Sequence, residues 1–402
     1  MKKSSLNQKI LALVSALHSD CGAVADQSLR DALSTPELVD AIKKTGMAGY
    51  FCALLDENRK RLGIAPSVIE ELKVSTRRTA AKNVFYEAQC ARLLCSFSSR
   101  GIPHILLKGL SYMEDVFGDI SARTMSDIDL LIRPDDRLRA LEVLLEEGYA
   151  VYFIPLFQGP KEDFHKLTDL IGEAHFVKKS GALTINIDLH WKLRPGYPMS
   201  DYLHLDKLPW WENTTSVVIG DAPAKRLSPD MQFLHLALHL GLHHQYTGLR
   251  WFVEFCLFLK RYGHELAWDN INALAGSKDC RKLVGICLKL AEDYMGASWP
   301  GVAQWKNFLS ADALLPGEYP LYRHCVLRDS RSRFASYLCM ALFPATIRGR
   351  MEMIRHFLFD PEGVSFWHGT GKKLPKGLQI FYGLYIVGRQ MFAGRRAASG
   401  KP

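Results

Sequence analysis

Long hydrophobic runs are missing from this chain of 402 residues. The nearest approach, "GLQIFYGLYIVG" from Gly377 to Gly388, falls short of the roughly 18–20 apolar residues that a membrane-spanning helix needs. Paired cysteine motifs are missing too. Nine cysteines, an odd number, are scattered without a C-x-x-C, which argues against a disulfide framework and for reduced, buried thiols such as Cys90 and Cys95 in a cytosolic protein. Internal repeats and low-complexity tracts are absent. The opening "MKKSSLNQKILALVSALHSD" has its apolar positions broken up at helical spacing, unlike a secretory leader, so a cytoplasmic location is expected. Acidic residues are scarce in one place. From Leu321 onward 14 Lys+Arg stand against 4 Asp+Glu, within a net charge of +9 for the whole chain. That end is either a solvated tail or a contact for an anionic partner, whether nucleotide, nucleic acid or lipid headgroup. From Phe381, "FYGLYIVGRQMFAGRR" joins an apolar patch to a basic end, which suits peripheral membrane contact or docking on the protein's own core. No interleaved aromatic-basic motif supports a nucleic-acid partner.

What is present is the composition of a globular protein, with 48% hydrophobic and 23% charged residues. Residues 1–100 read as helices, with a capping box expected at Ser67 and Glu70 just after Pro66. Val84, Ala88, Ala91 and Cys95 recur at helical spacing and predict a buried face. "HILLKG" (104–109) reads as a strand ending in glycine, "LSYMEDVFG" as a short helix, and "DDRLRALEVLLEEGY" as a longer one. "YAVYFIP" reads as a strand, and "EAHFVKK" with "LTINIDLHW" as a hairpin turning at Ser180-Gly181. Strands and helices interleave over 101–195, and the pattern turns helical again over 196–320. There Ser228, Pro229 and Asp230 open a helix, followed by "LRWFVEFCLFLKRYG" and "RKLVGICLKLAEDYMG". The expected fold is α+β, a small mixed-sheet core flanked by helical segments, with 321–402 as a basic C-terminal segment whose last eight residues fray.

The chemistry concentrates in "ARTMSDIDLLIRP". Asp127 and Asp129, one residue apart on a strand, point to the same face, and like charges that close repel. In "LTINIDLHW", Leu183, Ile185, Ile187, Leu189 and Trp191 face one way, and Thr184, Asn186, Asp188 and His190 the other. If that strand lies beside the D-x-D strand, three carboxylates converge. Oxygen-only clusters suit Mg²⁺ or Mn²⁺, and two such ions stabilise the attacking and leaving oxygens of a phosphoryl displacement. The competing reading has the aspartates cap strand ends or pair with Arg123 and Arg133. In a cluster without a cation, Asp129→Asn would relieve repulsion and raise the melting temperature.

"LLKGLSYMEDVFGDISARTMSDIDLLI" followed by "IDLHWKL" resembles the uncharacterised nucleotidyltransferase family of the DNA polymerase beta-like superfamily, in a likeness that reaches from about Asn83 into the C-terminal helices. The resemblance implies transfer of a nucleoside monophosphate from an NTP co-substrate to an acceptor, with Asp127, Asp129 and Asp188 as metal-binding catalytic residues. It implies that Asp188 helps deprotonate the acceptor hydroxyl and that Gly109, opening a short helix, lets backbone N–H groups approach phosphate. Lys108 and Arg123 would supply positive charge near the leaving pyrophosphate, and His190 would orient a carboxylate or touch substrate. The superfamily usually has Ser directly after the glycine. Here Leu110 stands there and Ser111 follows, so Ser111 is the residue expected to reach phosphate. Glu254 stands where relatives often carry Asp. The alternative function is a catalytically inactive nucleotidyltransferase fold that binds or scaffolds. His235, His239 and His243 recur every four residues, with His244 adjacent. They suit a polar seam against the core, a contact to nucleotide or acceptor, or a zinc site, with the seam preferred because apolar residues fill the spacing.

Overall fold

The first hundred residues are helical, as their apolar spacing predicts. In a computed structural model, which describes residues 6–18, 33, 35–153, 172–181, 183–193, 202–310, 313–327, 338, 339 and 341–359, helices run over Leu6–His18 (α1), Pro36–Lys44 (α2), Ala48–Glu57 (α3) and Pro66–Ser99 (α4). The capping box is not formed. The N-cap of α4 is Ala65, without a side-chain cap. Pro66 suits the first helical position, where its fixed φ and missing N–H do no harm, so the helix starts ahead of Ser67. The buried face differs as well. Val84 is 54% exposed and Cys95 is exposed, while Asn83, Tyr86, Cys90, Leu93 and Phe97 point inward. The bulkier side chains take the core side because they remove more apolar area from water.

The sheet begins with His104–Leu107 (β1), followed by a 3₁₀ turn at Gly109–Tyr112 and the short helix Met113–Phe117 (α5). Ile128–Ile132 (β2), Arg137–Glu146 (α6), Ala150–Phe153 (β3), Glu173–Ser180 (β4) and Leu183–His190 (β5) follow. The helical reading beyond Pro195 is corrected at a further hairpin, Thr214–Ile219 (β6) and Ala222–Leu227 (β7). Its inward positions include the small Ala222 and Ala224, which leave little alternation for a sequence reading to detect. Among the described residues seven strands lie in the order β3-β4-β5-β2-β1-β7-β6. The sheet is mixed: β2 runs parallel to β5 and β1 to β7, and the other neighbours are antiparallel.

A second layer of helices follows: Pro229–Leu238 (α7), Leu249–Tyr262 (α8), Trp268–Ala275 (α9), Lys278–Met295 (α10), Glu318–Val326 (α11) and Ile347–Phe359 (α12). Ser228 caps α7 as its sequence predicts, accepting the Met231 N–H with proline in the first turn. The fold is α+β, a mixed sheet flanked by helices. Both faces of β2 are buried: Leu130 and Ile132 belong to the core shared with α4 and α6, and Leu131 to the core of the C-terminal helices. Side chains alternate along a strand, so Asp129, two residues before Leu131, looks toward those helices. Among the described residues no helix is long and apolar enough to cross a membrane. The stretch from Phe381 and the last eight residues lie outside the described residues.

Candidate functional site

Strand register decides the question raised by the D-x-D motif. In the β2–β5 ladder Asp129 stands opposite Asp188, and Ile128 opposite Ile187. Asp127, just ahead of β2, shares their cleft, a space of about 220 Å³ between the sheet and α7 and α8. Lys108 follows β1, where Leu107 pairs with Asp129, and its Nζ lies 3.0 Å from Asp129 Oδ1. The competing arginine pairings are not those observed. Arg123 forms a buried ion pair with Glu254 of α8, and Arg133 lies over the Trp211 ring, 4.2 Å from its centroid.

Two further cleft residues, Glu173 and His175 of β4, escape the sequence reading. His175 stands opposite Asp188 and Glu173 opposite His190 in the β4–β5 ladder. His175 Nδ1 is 2.6 Å from Asp188 Oδ1; His190 Nε2 is 3.3 Å from Asp129 Oδ1 and its Nδ1 3.0 Å from Glu173 Oε2. The signal was present in "EAHFVKK", whose Ala174 and Phe176 are buried while Glu173 and His175 alternate with them toward the cleft.

Burial dominates the electrostatics, and the pairings then set the direction. Burial raises the Asp127 carboxyl above the usual aspartate range, and repulsion from Asp129 adds to it. Burial works the same way on Asp129, but the charges and hydrogen bonds of Lys108 and His190 overcome it and hold that carboxyl well below the usual range. Burial disfavours charge on His175 and His190, yet Asp188 and Glu173 bring His175 to about 10, and Asp129 and Glu173 bring His190 to about 9. The expectation for Asp129→Asn therefore reverses. Losing the Asp129 charge takes from buried Lys108 its ion-pair partner and from His190 one of its two, so Asp129→Asn lowers the melting temperature of the metal-free protein. Asp127→Asn raises it, because burial and repulsion both favour a neutral group there. Thermal denaturation of both variants in chelator checks the pair of signs.

A histidine whose folded pKa exceeds its unfolded value of 6.5 contributes stability that is complete below 6.5 and lost as pH rises through the folded value. The pairings of His190 and His175 therefore stop stabilising the fold as pH climbs through about 9 and about 10. The melting-temperature gap between wild type and His175→Gln should narrow over that interval, and a gap independent of pH would show His175 to be uncharged in the fold.

The loop carrying Arg123 into the cleft is clamped from behind. Asn83, fully buried on α4, donates to the Ile120 and Arg123 carbonyls, both at 2.6 Å, and accepts the Met125 N–H at 3.1 Å. Its sequence signal was a polar residue on an otherwise apolar helix face. Gly49 lets α3 touch the same loop, since a Cβ there would sit 2.0 Å from the Ser121 carbonyl oxygen. Ahead of the 3₁₀ turn, Lys108 and Gly109 both have positive φ, 38° and 46°, a conformation that is strained for a lysine. Gly109 lines an adjoining cavity with Tyr112 and Phe258 rather than the carboxylate cleft. Ser111 is buried, its Oγ donates to the Lys108 carbonyl at 2.8 Å, and it does not line the carboxylate cleft.

Opposite the carboxylates stand His235, His239, His243, His244 and Trp251. His239 Nε2 is 3.2 Å from Lys108 Nζ. Burial, and then the Lys108 charge, hold His239 well below the usual histidine range and His235 near 3. Trp191 is buried on the far face of β5. Both walls of this cleft fall inside the stretch, residues 31–296, matched by the family model described as uncharacterised nucleotidyltransferase. The chain belongs to that family. Membership makes it a transferase of nucleotidyl groups at the family level. No curated protein matches the chain.

Proposed function

We propose that this protein transfers a nucleoside monophosphate from an NTP to an acceptor hydroxyl, using Mg²⁺ or Mn²⁺ held by Asp127, Asp129 and Asp188. The observation that carries the reading is the placement of Asp129 opposite Asp188 on neighbouring parallel strands, with Asp127 in the same cleft. The donor set fits a hard dication: it is made of carboxylate oxygens, and the raised Asp127 carboxyl marks a place short of positive charge. Bound there, the cation would stabilise charge on the reacting phosphate and the oxygens on either side of it.

The chain's own residues have the remaining tasks. Lys108 and Arg123 present positive charge to the triphosphate and to the leaving pyrophosphate. His190, braced by Glu173, fixes the Asp129 carboxylate, and His175 fixes Asp188. Asp188 takes the proton of the acceptor hydroxyl. Free cysteines at all eight described positions suit the reducing cytoplasm, where we place the activity.

A second reading, a nucleotidyltransferase fold that binds without turnover, is favoured by Leu110 in the usual serine position and by the inward turn of Ser111. A thermal-shift screen of NTPs with Mg²⁺, followed by a pyrophosphate-release assay, separates the two, because a ligand specific to the native state raises the melting temperature. Catalysis predicts a shift and release of pyrophosphate once an acceptor is supplied. A shift with no release across acceptor classes favours the binding role, and no shift with any NTP rejects both.

A further inference from the structure

The reading above gives the histidine wall of the cleft no task. His239 and His243 lie on one π-helical turn, His239–His243, that follows α7, and His244 closes it. On a regular helix His244 would point away from His239, because only residues three or four apart share a face. The wider turn changes that. The His244 N–H donates to the His239 carbonyl at 3.1 Å, a five-residue step of the kind that recurs at functional sites. The chain then leaves through Gln245 and Tyr246, both with positive φ, 45° and 59°, a costly conformation for residues with side chains. From α8, the Trp251 indole stacks on the His244 ring at 4.4 Å and 14°.

The result is a triangle of imidazoles. Ring centroids stand 4.9 Å apart for His239–His243, 4.5 Å for His239–His244 and 4.8 Å for His243–His244. One ligand nitrogen from each lies within 4.8 Å of the others. His239 takes part in a polar seam through Lys108, and the convergence of three imidazole nitrogens adds to that seam the arrangement of a metal ligand set. We infer that His239, His243 and His244 bind a transition-metal dication, Zn²⁺ foremost, at a site separate from the carboxylates.

Ligand chemistry separates the two sites. Imidazole nitrogens select zinc and its neighbours, whereas carboxylate oxygens select magnesium and manganese. Three imidazoles leave a fourth position open, the arrangement of zinc sites that accept water or an anion, and here it opens on the cleft shared with the carboxylates. Lys108 competes for His239 Nε2, at 3.2 Å. It keeps its other partner, Asp129 at 3.0 Å, when the dication takes that nitrogen. This site does not rest on the nucleotidyl-transfer reading and stands or falls independently of it.

The test uses the full-length protein, stripped of metal and titrated with Co²⁺ in excess Mg²⁺, with Zn²⁺ as competitor. One equivalent of Co²⁺ should give the visible absorption of a four-coordinate site with three nitrogen ligands, and Zn²⁺ should bleach it. His243 is exposed, so His243→Ala can be made without disturbing the core. It should weaken binding by at least about tenfold, as removal of a metal-site group does, while Asp127→Asn, which leaves the Lys108–Asp129 pair in place, keeps the band. Absence of the band in wild type, unchanged binding in His243→Ala, or loss of the band in Asp127→Asn would each overturn the assignment.

Discussion

Alanine at both Asp127 and Asp129 is expected to lower turnover by at least about 10³-fold, the effect of losing several kcal/mol of transition-state stabilisation. These carboxylates are drawn from one strand and its leading residue, and neither builds the fold's apolar cores. The sheet should therefore survive, and near-ultraviolet circular dichroism of the double variant should match wild type. Turnover unaffected by both changes would reject the carboxylate site outright. Loss of the aromatic signal along with activity would point to unfolding, and Asp127→Asn, which relieves repulsion in the fold, would then carry the test alone.

The largest expected loss of stability lies away from the cleft. Glu318 opens α11 as a fully buried carboxylate, with Lys282 Nζ of α10 at 2.5 Å and Arg350 of α12 at 3.3 Å. It also accepts from the Tyr322 hydroxyl and the Leu315 N–H, both at 2.7 Å. Burial lowers the Lys282 pKa, and Glu318 offsets part of that. Breaking a buried pair by removing one partner costs about 3–5 kcal/mol, because the other charge stays behind without compensation. Glu318→Gln keeps the shape and removes the charge, so urea unfolding should show a loss of that size, a large share of the roughly 5–15 kcal/mol that holds a typical domain. A loss below about 1 kcal/mol would mean that water reaches Lys282, or that it is uncharged in the fold. Tyr322 also packs on Tyr246, 4.8 Å between ring centroids, which links this cluster to the turn carrying the histidines.

Much of the sheet was legible because its strands are strongly patterned. β5 alternates strictly between Leu183 and Trp191, and that alternation alone places Asp188 and His190 on one face. Its pairing with β2 was a different matter. The two strands lie far apart in sequence, and alternation fixes which face a side chain takes, not which strand stands beside it. The register of Asp129 against Asp188 therefore had to come from the fold. β7 escaped because small alanines fill inward positions, and α4 was rotated because aromatic and leucine side chains outcompete Val84 for the core.

Within the site, residue type was legible and partnership was not. Lys108 and Arg123 read as positive charge for the pyrophosphate, and the fold adds what each is paired with, Asp129 for Lys108 and Glu254 for Arg123. Glu254 thereby acquires a definite place as the counterion of a cleft arginine. Ser111 looked close enough to reach phosphate, yet the tight 3₁₀ turn spends its hydroxyl on the Lys108 carbonyl. Asn83 and Glu173 were visible as polar residues in apolar patterns. Their tasks, bracing a loop and bracing a histidine, belong to tertiary contacts that no local pattern encodes.

The most direct measurement is an electron paramagnetic resonance titration of the full-length protein with Mn²⁺, in the presence and absence of a non-hydrolysable NTP. Wild type should take up Mn²⁺ with the nucleotide present, and Asp129→Ala and Asp188→Ala should each leave the ion in solution. Equal Mn²⁺ uptake by wild type and both variants, or none by wild type with any nucleotide, would contradict the account.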